Sequence, residues 1–175
     1  MFITEKGVAF KSMADCVNAK TIYDRLIKKI EYLASINGTT RCFEVFDDDT
    51  PELKKTIKLI KELGFDVYTR KIQMSNNKVG LEIYWGEPKA GTKAESLYDL
   101  SKRTQAYLHV FTAMMNKAEK AAKNGSYDFT EPFKNRYEDI TIDIQQFATW
   151  LKDKHLGFSN IIADTDNQII TIYWN

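Results

Sequence analysis

The densest group of acidic side chains in the sequence is the run Asp47-Asp48-Asp49, with Glu44 before it and Glu52 after it. Carboxylates between a strand and a helix can supply the oxygen ligands that Mg²⁺ prefers. A metal-dependent nuclease would also need a Glu-x-Lys pair on a neighbouring strand, and the matching segment here reads LEIYW. Negative side chains also suit the positive N-terminal end of a helix. We therefore expect the run to mark a helix N-terminus, and we predict no metal ion and no cofactor.

The residues that most often serve as zinc ligands or nucleophiles are two histidines and two cysteines, His109, His155, Cys16 and Cys42. The sequence contains no CxxC, GxSxG, GxGxxG or Walker-type motif. His155 lies at the C-terminus of a predicted helix, where a positive charge is favourable. Both cysteines fall in predicted regular elements, so we expect buried thiols rather than a catalytic pair. The sequence predicts a protein that is not an enzyme.

The charge balance gives little support to nucleic-acid binding. The chain has 25 Lys and Arg against 24 Asp and Glu, a net charge of +1, whereas nucleic-acid binders usually carry an excess of basic side chains. Lys54, Lys55, Lys58 and Lys61 lie on one predicted helix and could contact phosphate. Such lysines are more often the solvent face of an amphipathic helix. We therefore do not expect a nucleic-acid partner.

Composition also predicts the setting of the protein. No run of about 18 apolar residues is present, so we expect no membrane span. The N-terminal segment MFITEKGVAFKS has no apolar core typical of a secretory signal. Two cysteines are too few for a disulfide framework. We expect a cytoplasmic protein with reduced thiols.

Aromatic residues are the most promising candidates for binding. The chain has 10 Phe, 9 Tyr and 3 Trp, and Tyr, Trp and Arg are enriched at protein interfaces, although strands also favour aromatic residues for internal packing. The candidates for contacts with a partner or a ligand lie on predicted strands: Tyr68, Arg70, Lys71, Tyr84, Trp85, Tyr173 and Trp174.

Three short landmarks occur twice in the same order. Asn37-Gly38 recurs as Asn124-Gly125, 87 residues later; Leu63-Gly64-Phe65 recurs at Leu156, 93 residues later; and Ile83-Tyr84-Trp85 recurs at Ile172, 89 residues later. Nearly constant offsets for three landmarks indicate a tandem duplication.

The first copy predicts a helix over about residues 11–36, a strand RCFEVF, a helix from Thr50-Pro51, and the strands FDVYTRKI and VGLEIYW around a turn at SNNK. The second copy predicts a long helix over residues 96–125 with a stripe of Leu108, Phe111, Met115, Ala118 and Ala122. It continues with a strand DITIDI, a helix IQQFATWLKDKH, and a hairpin that turns at DTDN. An extra loop, SYDFTEPFKNRYE, is expected before the DITIDI strand. In each IYW we expect Ile and Trp to face the helices and Tyr the opposite side.

The sequence thus predicts an α+β fold of two homologous α-β-α-β-β modules, residues 1–88 and 89–175. We expect them to be packed into one body, with the possibility of one shared core, and to form a mainly antiparallel sheet with helices on one face.

The repeated unit resembles a loose group of small bacteriophage proteins. Their pattern is a long helix ending in Gly, a strand, a helix ending in LGF or LGY, and a hairpin whose last strand ends in Trp. The matching residues are Leu63-Gly64-Phe65 with Leu81 to Trp85, and Leu156-Gly157-Phe158 with Ile170 to Trp174. The resemblance implies a viral, non-catalytic protein and supplies no catalytic residues.

Two functions from different classes follow from these expectations. The first is a protein–protein interaction or structural assembly protein of a phage, in the host cytoplasm or the virion, whose partner is another protein or a further copy of itself. The second is a counter-defence protein that binds a phosphate-bearing small ligand, such as a nucleotide, in a cleft between the modules. A metal-dependent nuclease at Asp47 to Asp49 is a third and weaker alternative.

Overall fold

The computed structural model describes residues 2–47, 49–72, 78–154 and 156–174, with side chains from residue 18 onward. The chain divides into two compact units, Met1–Ser101 and Lys102–Asn175. Each unit combines helices with an antiparallel sheet, so the predicted α+β class is confirmed. The tandem duplication stays a prediction.

Unit 1 contains α1 (Phe2–Asn37), β1 (Arg41–Phe46), α2 (Pro51–Glu62), β2 (Asp66–Lys71), β3 (Val79–Tyr84) and the beginning of α3 (Lys93–Lys123). Local sequence explains the start of α2, because the Thr50 side chain accepts a hydrogen bond from the Leu53 N–H at 3.2 Å and Pro51 occupies the first turn. The predicted SNNK turn lies almost entirely outside the described residues.

The sheet of unit 1, called sheet 1, has the order β1-β3-β2, and both pairings are antiparallel. The register places Ile83 between Cys42 and Val67. These side chains form one core with apolar residues of both helices, namely Leu26, Ile30, Leu53 and Ile60. Because strand side chains alternate, the opposite face of sheet 1 is turned away from α1 and α2.

Unit 2 contains the rest of α3 together with β4 (Asp128–Pro132), β5 (Arg136–Tyr137), β6 (Ile140–Thr141), α4 (Ile144–Asp153), β7 (Asn160–Asp164) and β8 (Ile169–Tyr173). Sheet 2 has the order β4-β8-β7, while β5 and β6 form a separate two-stranded hairpin. The register places Ile172 between Phe129 and Ile161. The unit has its own core, centred on Phe147, Leu151, Ile170 and Ile172.

The prediction of a strand over DITIDI is wrong. Ile140 and Thr141 form the short β6, whereas Ile144 begins α4, whose N-cap Asp143 accepts a hydrogen bond from the Gln146 N–H at 2.8 Å. The strand that pairs with β8 on the side opposite β7 is β4, which lies in the segment expected to be an extra loop. Pairing with a central strand therefore overrode the weak β-propensity of DFTEP.

The predicted stripe along α3 is also partly wrong. Within unit 2 the buried apolar residues of α3 are Ala106, Tyr107, Val110, Met114 and Ala118. Leu108 is only half-buried and Ala122 is exposed. The buried stripe lies one residue before the predicted one, at Tyr107, Val110 and Met114.

The two IYW segments lie at equivalent positions. Ile83 and Trp85 are buried against the helices while Tyr84 lies on the other side of sheet 1, as the alternation predicts. The backbone N–H of Trp85 donates to the Thr40 carbonyl at 2.9 Å, and the backbone N–H of Trp174 donates to the Tyr127 carbonyl at 3.1 Å. Each segment therefore ends the central strand of its own sheet.

Candidate functional site

The candidate site is the face of sheet 1 that points away from α1 and α2, which we call the open face. The strand register arranges it in three rows: Arg41, Tyr84 and Asp66; Phe43, Glu82 and Tyr68; Val45, Gly80 and Arg70. Three of the predicted candidates, Tyr68, Arg70 and Tyr84, thus share one surface. The sequence-based candidates did not include Phe43 or Val45, although the alternation of RCFEVF places both on the same side as Tyr68.

Large apolar side chains on the open face are exposed. The exposed fractions are 43% for Phe43, 42% for Val45 and 60% for Tyr68. Tyr84 is half-buried, and its ring lies beside Gly86, where a side-chain carbon would clash with the Tyr84 hydroxyl. Scattered exposed hydrophobic residues are common, but a contiguous group on one sheet face indicates an interaction surface.

Phe43 and Arg70 reach across the central strand and meet over Gly80. The Arg70 guanidinium carbon lies 5.0 Å from the centre of the Phe43 ring, which is cation–π geometry. A side-chain carbon at Gly80 would lie 3.0 Å from the Phe43 ring and 3.4 Å from Cγ of Arg70. The glycine therefore leaves room for this pair, which holds both side chains in place at the surface.

The charges of the open face are balanced and unpaired. Arg41 and Arg70 contribute two positive charges, while Asp66 and Glu82 contribute two negative ones. Within the described residues none of the four takes part in an ion pair. On the helix side of the sheet, by contrast, Glu44 pairs with Lys29 and lies 3.8 Å from Arg25.

Two further candidates in unit 1 lie elsewhere. Lys71 is in the row of Phe46 and Val79, so it belongs to the face opposite Arg70. Trp85 is 1% exposed and its indole N–H donates to the Ser101 hydroxyl at 3.1 Å. Trp85 is therefore a residue of the core and not of the surface.

The candidates in unit 2 lie on two different sides of sheet 2. Tyr173 occupies the position equivalent to Tyr84, between Asp128 and Asn160. The next row of that face is more polar, because the Thr130 and Thr171 hydroxyls are hydrogen-bonded at 3.0 Å. Trp174 packs against the core of unit 2, and its indole N–H donates to the Ser126 carbonyl at 3.0 Å.

The described residues of the acidic run, Asp47 and Asp49, both form ion pairs. Asp49 lies 3.2 Å from the Lys54 ammonium and Asp47 lies 3.7 Å from that of Lys78; Asp48 is outside the described residues. Across the described part of the chain no group of three or more His, Cys, Asp or Glu side chains is arranged to hold a metal ion.

The remaining chemistry-bearing residues are dispersed. Cys42 is buried on β1, and this burial raises the pKa of its thiol above the ordinary value. The His109 ring lies 4.4 Å from the ring of Tyr137. The Cys16 side chain and His155 lie outside the described residues. No helix in the described ranges has both the length and the apolar character to cross a membrane.

The nucleotide site between the modules stays a prediction. Comparison with protein-family models, with curated proteins and with solved structures finds no match to this chain.

Proposed function

We propose that this chain is a non-catalytic interaction protein that binds a protein partner through the open face of sheet 1. The observation that carries the proposal is the exposed pair of Phe43 and Arg70, flanked by Val45 and Tyr68. Aromatic residues and arginine dominate the binding energy of many protein interfaces. The ordering of Phe43 and Arg70 before binding lowers the entropic cost of association.

The charge balance of the open face favours a protein over a nucleic acid. A nucleic-acid backbone requires an excess of positive charge on the surface that binds it. Here Asp66 and Glu82 offset Arg41 and Arg70, so the face carries no net charge. A folded protein surface, with apolar groups and charges of both signs, is the matching partner.

The chemistry of the partner follows from the same residues. Phe43, Val45 and Tyr68 call for apolar side chains opposite them. The guanidinium of Arg70 stacks on a ring and keeps its hydrogen-bond donors available for a carboxylate. We propose a partner that presents a carboxylate beside an apolar patch, as another component of a phage assembly or a further copy of this chain.

Charge reversal on adjacent residues tests the proposal with a matched control. Arg70→Glu places a negative charge on the open face, whereas Lys71→Glu makes the same change one residue later on the opposite face. A native mass spectrum of each untagged protein measures self-association, and affinity capture from cells of the source measures binding to other proteins. We expect Arg70→Glu to weaken binding by about 2 kcal/mol or more, at least tenfold in Kd, and Lys71→Glu to leave it unchanged.

The proposal fails if Arg70→Glu binds as well as the wild type, or if the wild type is strictly monomeric and captures nothing specifically. If the wild type is monomeric and captures no protein but carries an added mass of several hundred daltons, the small-ligand alternative is favoured instead.

A further inference from the structure

Unit 2 contains a polar cavity of about 380 Å³, within the usual range for small-molecule sites. It lies where α3, the β5–β6 hairpin and the first turn of α4 come together. Its polar lining consists chiefly of Arg103, Tyr107, Asn135, Asp143, Gln146 and Gln168. Such a lining suits a hydrogen-bonding ligand rather than an apolar one.

Tyr107 is the buried polar residue of this cavity. It is 5% exposed, and its ring packs edge-on against Phe147 and Trp150 with 5.4 Å between centroids in both pairs. No hydrogen bond joins its hydroxyl to a described residue, and the hydroxyl is not enclosed in the core, since Trp150 Nε1 is the one buried side-chain atom without a partner among the described residues. The Tyr107 hydroxyl is therefore accessible to solvent and available to donate to a ligand.

Two charged side chains, Arg103 and Asp143, lie near Tyr107. Burial raises the pKa of Tyr107, the positive charge of Arg103 opposes this rise, and the negative charge of Asp143 adds to it. Both of these charged residues line the cavity. Tyr107, a cation and a carboxylate therefore line the same cavity.

Arg103 and Asp143 place opposite charges at this cavity. Arg103 precedes Tyr107 by four residues, one helical turn, so both lie on the same side of α3. Arg103 is exposed and forms no ion pair within the described ranges. Asp143 caps α4 through Oδ1, and the helix N-terminus adds partial positive charge to the site.

We infer that this cavity binds a small molecule that carries an oxyanion together with a hydrogen-bond donor. The oxyanion, a carboxylate or a phosphate, accepts hydrogen bonds from the Arg103 guanidinium and the Tyr107 hydroxyl. The donor of the ligand is received by the Asp143 carboxylate. The Asn135 and Gln146 amides can both donate and accept, which adds contacts without fixing the ligand further.

Chemical-shift mapping on the full ¹⁵N-labelled chain tests the inference with two probes, L-glutamine and inorganic phosphate. Each is titrated to about 10 mM, enough to nearly saturate a site with a Kd of about 1 mM. We expect shifts at the backbone amides of residues 144–147, at Nε of Arg103 and at the side-chain amides of Asn135 and Gln146. L-glutamine alone would indicate a carboxylate ligand and phosphate alone a phosphate ligand; both results support the site.

Two variants connect binding to the residues named. Tyr107→Phe removes the hydroxyl and keeps the ring packing, and we expect the Kd to rise several-fold. Arg103→Gln removes the cation, with an expected rise of about tenfold or more. Lys120→Gln is the control, because Lys120 is an exposed residue of α3 that does not line this cavity.

The inference is overturned if neither probe shifts these resonances, which would leave a bound water as the partner of Tyr107. It is also overturned if both variants bind the probe with the affinity of the wild type. Unchanged resonances elsewhere in unit 2 verify that each variant is folded.

Discussion

At the residue scale, the open face depends on close contacts that leave no room for larger side chains. Gly80 lies under the Phe43 ring, and Gly86 lies against the Tyr84 ring. In both places the absence of a side chain allows an aromatic ring to lie against the backbone. The positions of the exposed aromatic residues are therefore set by glycines that make no contact with a partner themselves.

Gly64, just after α2, provides a test of such close packing in unit 1. Its φ is +90°, and a side-chain carbon there would lie 2.5 Å from Oγ1 of Thr92. Gly91 also has a positive φ, +74°, but has open space around it. We expect Gly91→Ala to cost about 1–2 kcal/mol from backbone strain alone, and Gly64→Ala to cost about 1–3 kcal/mol more because of the clash.

Chemical denaturation of both variants, followed by far-ultraviolet circular dichroism, measures the difference. Equal losses of stability would show that Thr92 moves aside without cost and that the steric argument is wrong.

At the element scale, the sequence correctly predicts helix starts and turns, which depend on local contacts. It fails to predict which segments form strands when this depends on pairing with a distant strand. Thr50-Pro51 marks the start of α2, and the DTDN turn lies between β7 and β8. The alternating Ile140, Ile142 and Ile144 has the period of a strand, but Asp143 and Gln146 form a helix cap within the same residues. The helix cap at Asp143 determines that Ile144 begins α4. The strand that pairs with β8 at this edge of sheet 2 is instead DFTEP, which forms β4.

The candidate site shows the same division. The period of two places Tyr68 and Arg70 on one face and Lys71 on the other. The expected orientation of Ile83 and Trp85 toward the helices is confirmed, and it places Trp85 in the core although Trp85 is also a predicted contact residue. The exposure of Phe43 and Val45 depends on the pairing of β1 with β3, which the period of two does not give. The sequence does not predict the cavity at Tyr107. The cavity depends on the β5–β6 hairpin, whereas the sequence predicts a single strand over DITIDI.

The turn between β7 and β8 leads to a prediction about pH. Asp164 accepts hydrogen bonds from the Asn167 side chain at 2.9 Å and from the Asn167 and Asp166 N–H groups at 3.0 and 3.1 Å. These bonds, with that of the Asn167 side chain first, lower the pKa of Asp164. Because the folded pKa is lowered, the turn gains stability above the unfolded pKa of about 3.9. That stability is lost as the pH falls through the folded value.

Carbon-detected NMR titration of the Asp164 carboxyl measures this pKa directly. We expect a value below about 3.9 in the wild type and a rise toward it in Asn167→Ala. Glu119 on α3, whose pKa is lowered by its hydrogen bond with Lys123, is the control and should be unaffected by Asn167→Ala. A wild-type Asp164 that titrates at or above its ordinary value would contradict the hydrogen-bonding pattern.

At the scale of the whole molecule, the two units share a topology but differ in surface chemistry. Each has a helix, an outer strand, a second helix and a hairpin whose last strand becomes the centre of the sheet. The row of Phe43, Glu82 and Tyr68 in sheet 1 corresponds to Thr130, Thr171 and Ile162 in sheet 2. The aromatic surface therefore belongs to unit 1, and the polar cavity with its extra hairpin belongs to unit 2.

Because the two units have separate cores, we expect a destabilising substitution in one core to leave the stability of the other unit unchanged. Ile83 and Ile172 are both 0% exposed, occupy matching positions in the central strands, and belong to different apolar clusters. Ile→Val at either position removes one buried methylene and should cost about 0.5–1.5 kcal/mol. We expect Ile83→Val to lower native-state hydrogen-exchange protection in β1, β2 and β3, and Ile172→Val to lower it in β4, β7 and β8, with protection in the other unit unchanged. If either substitution lowers protection equally in both sheets, the chain unfolds as a single cooperative body, and the two cores are energetically one.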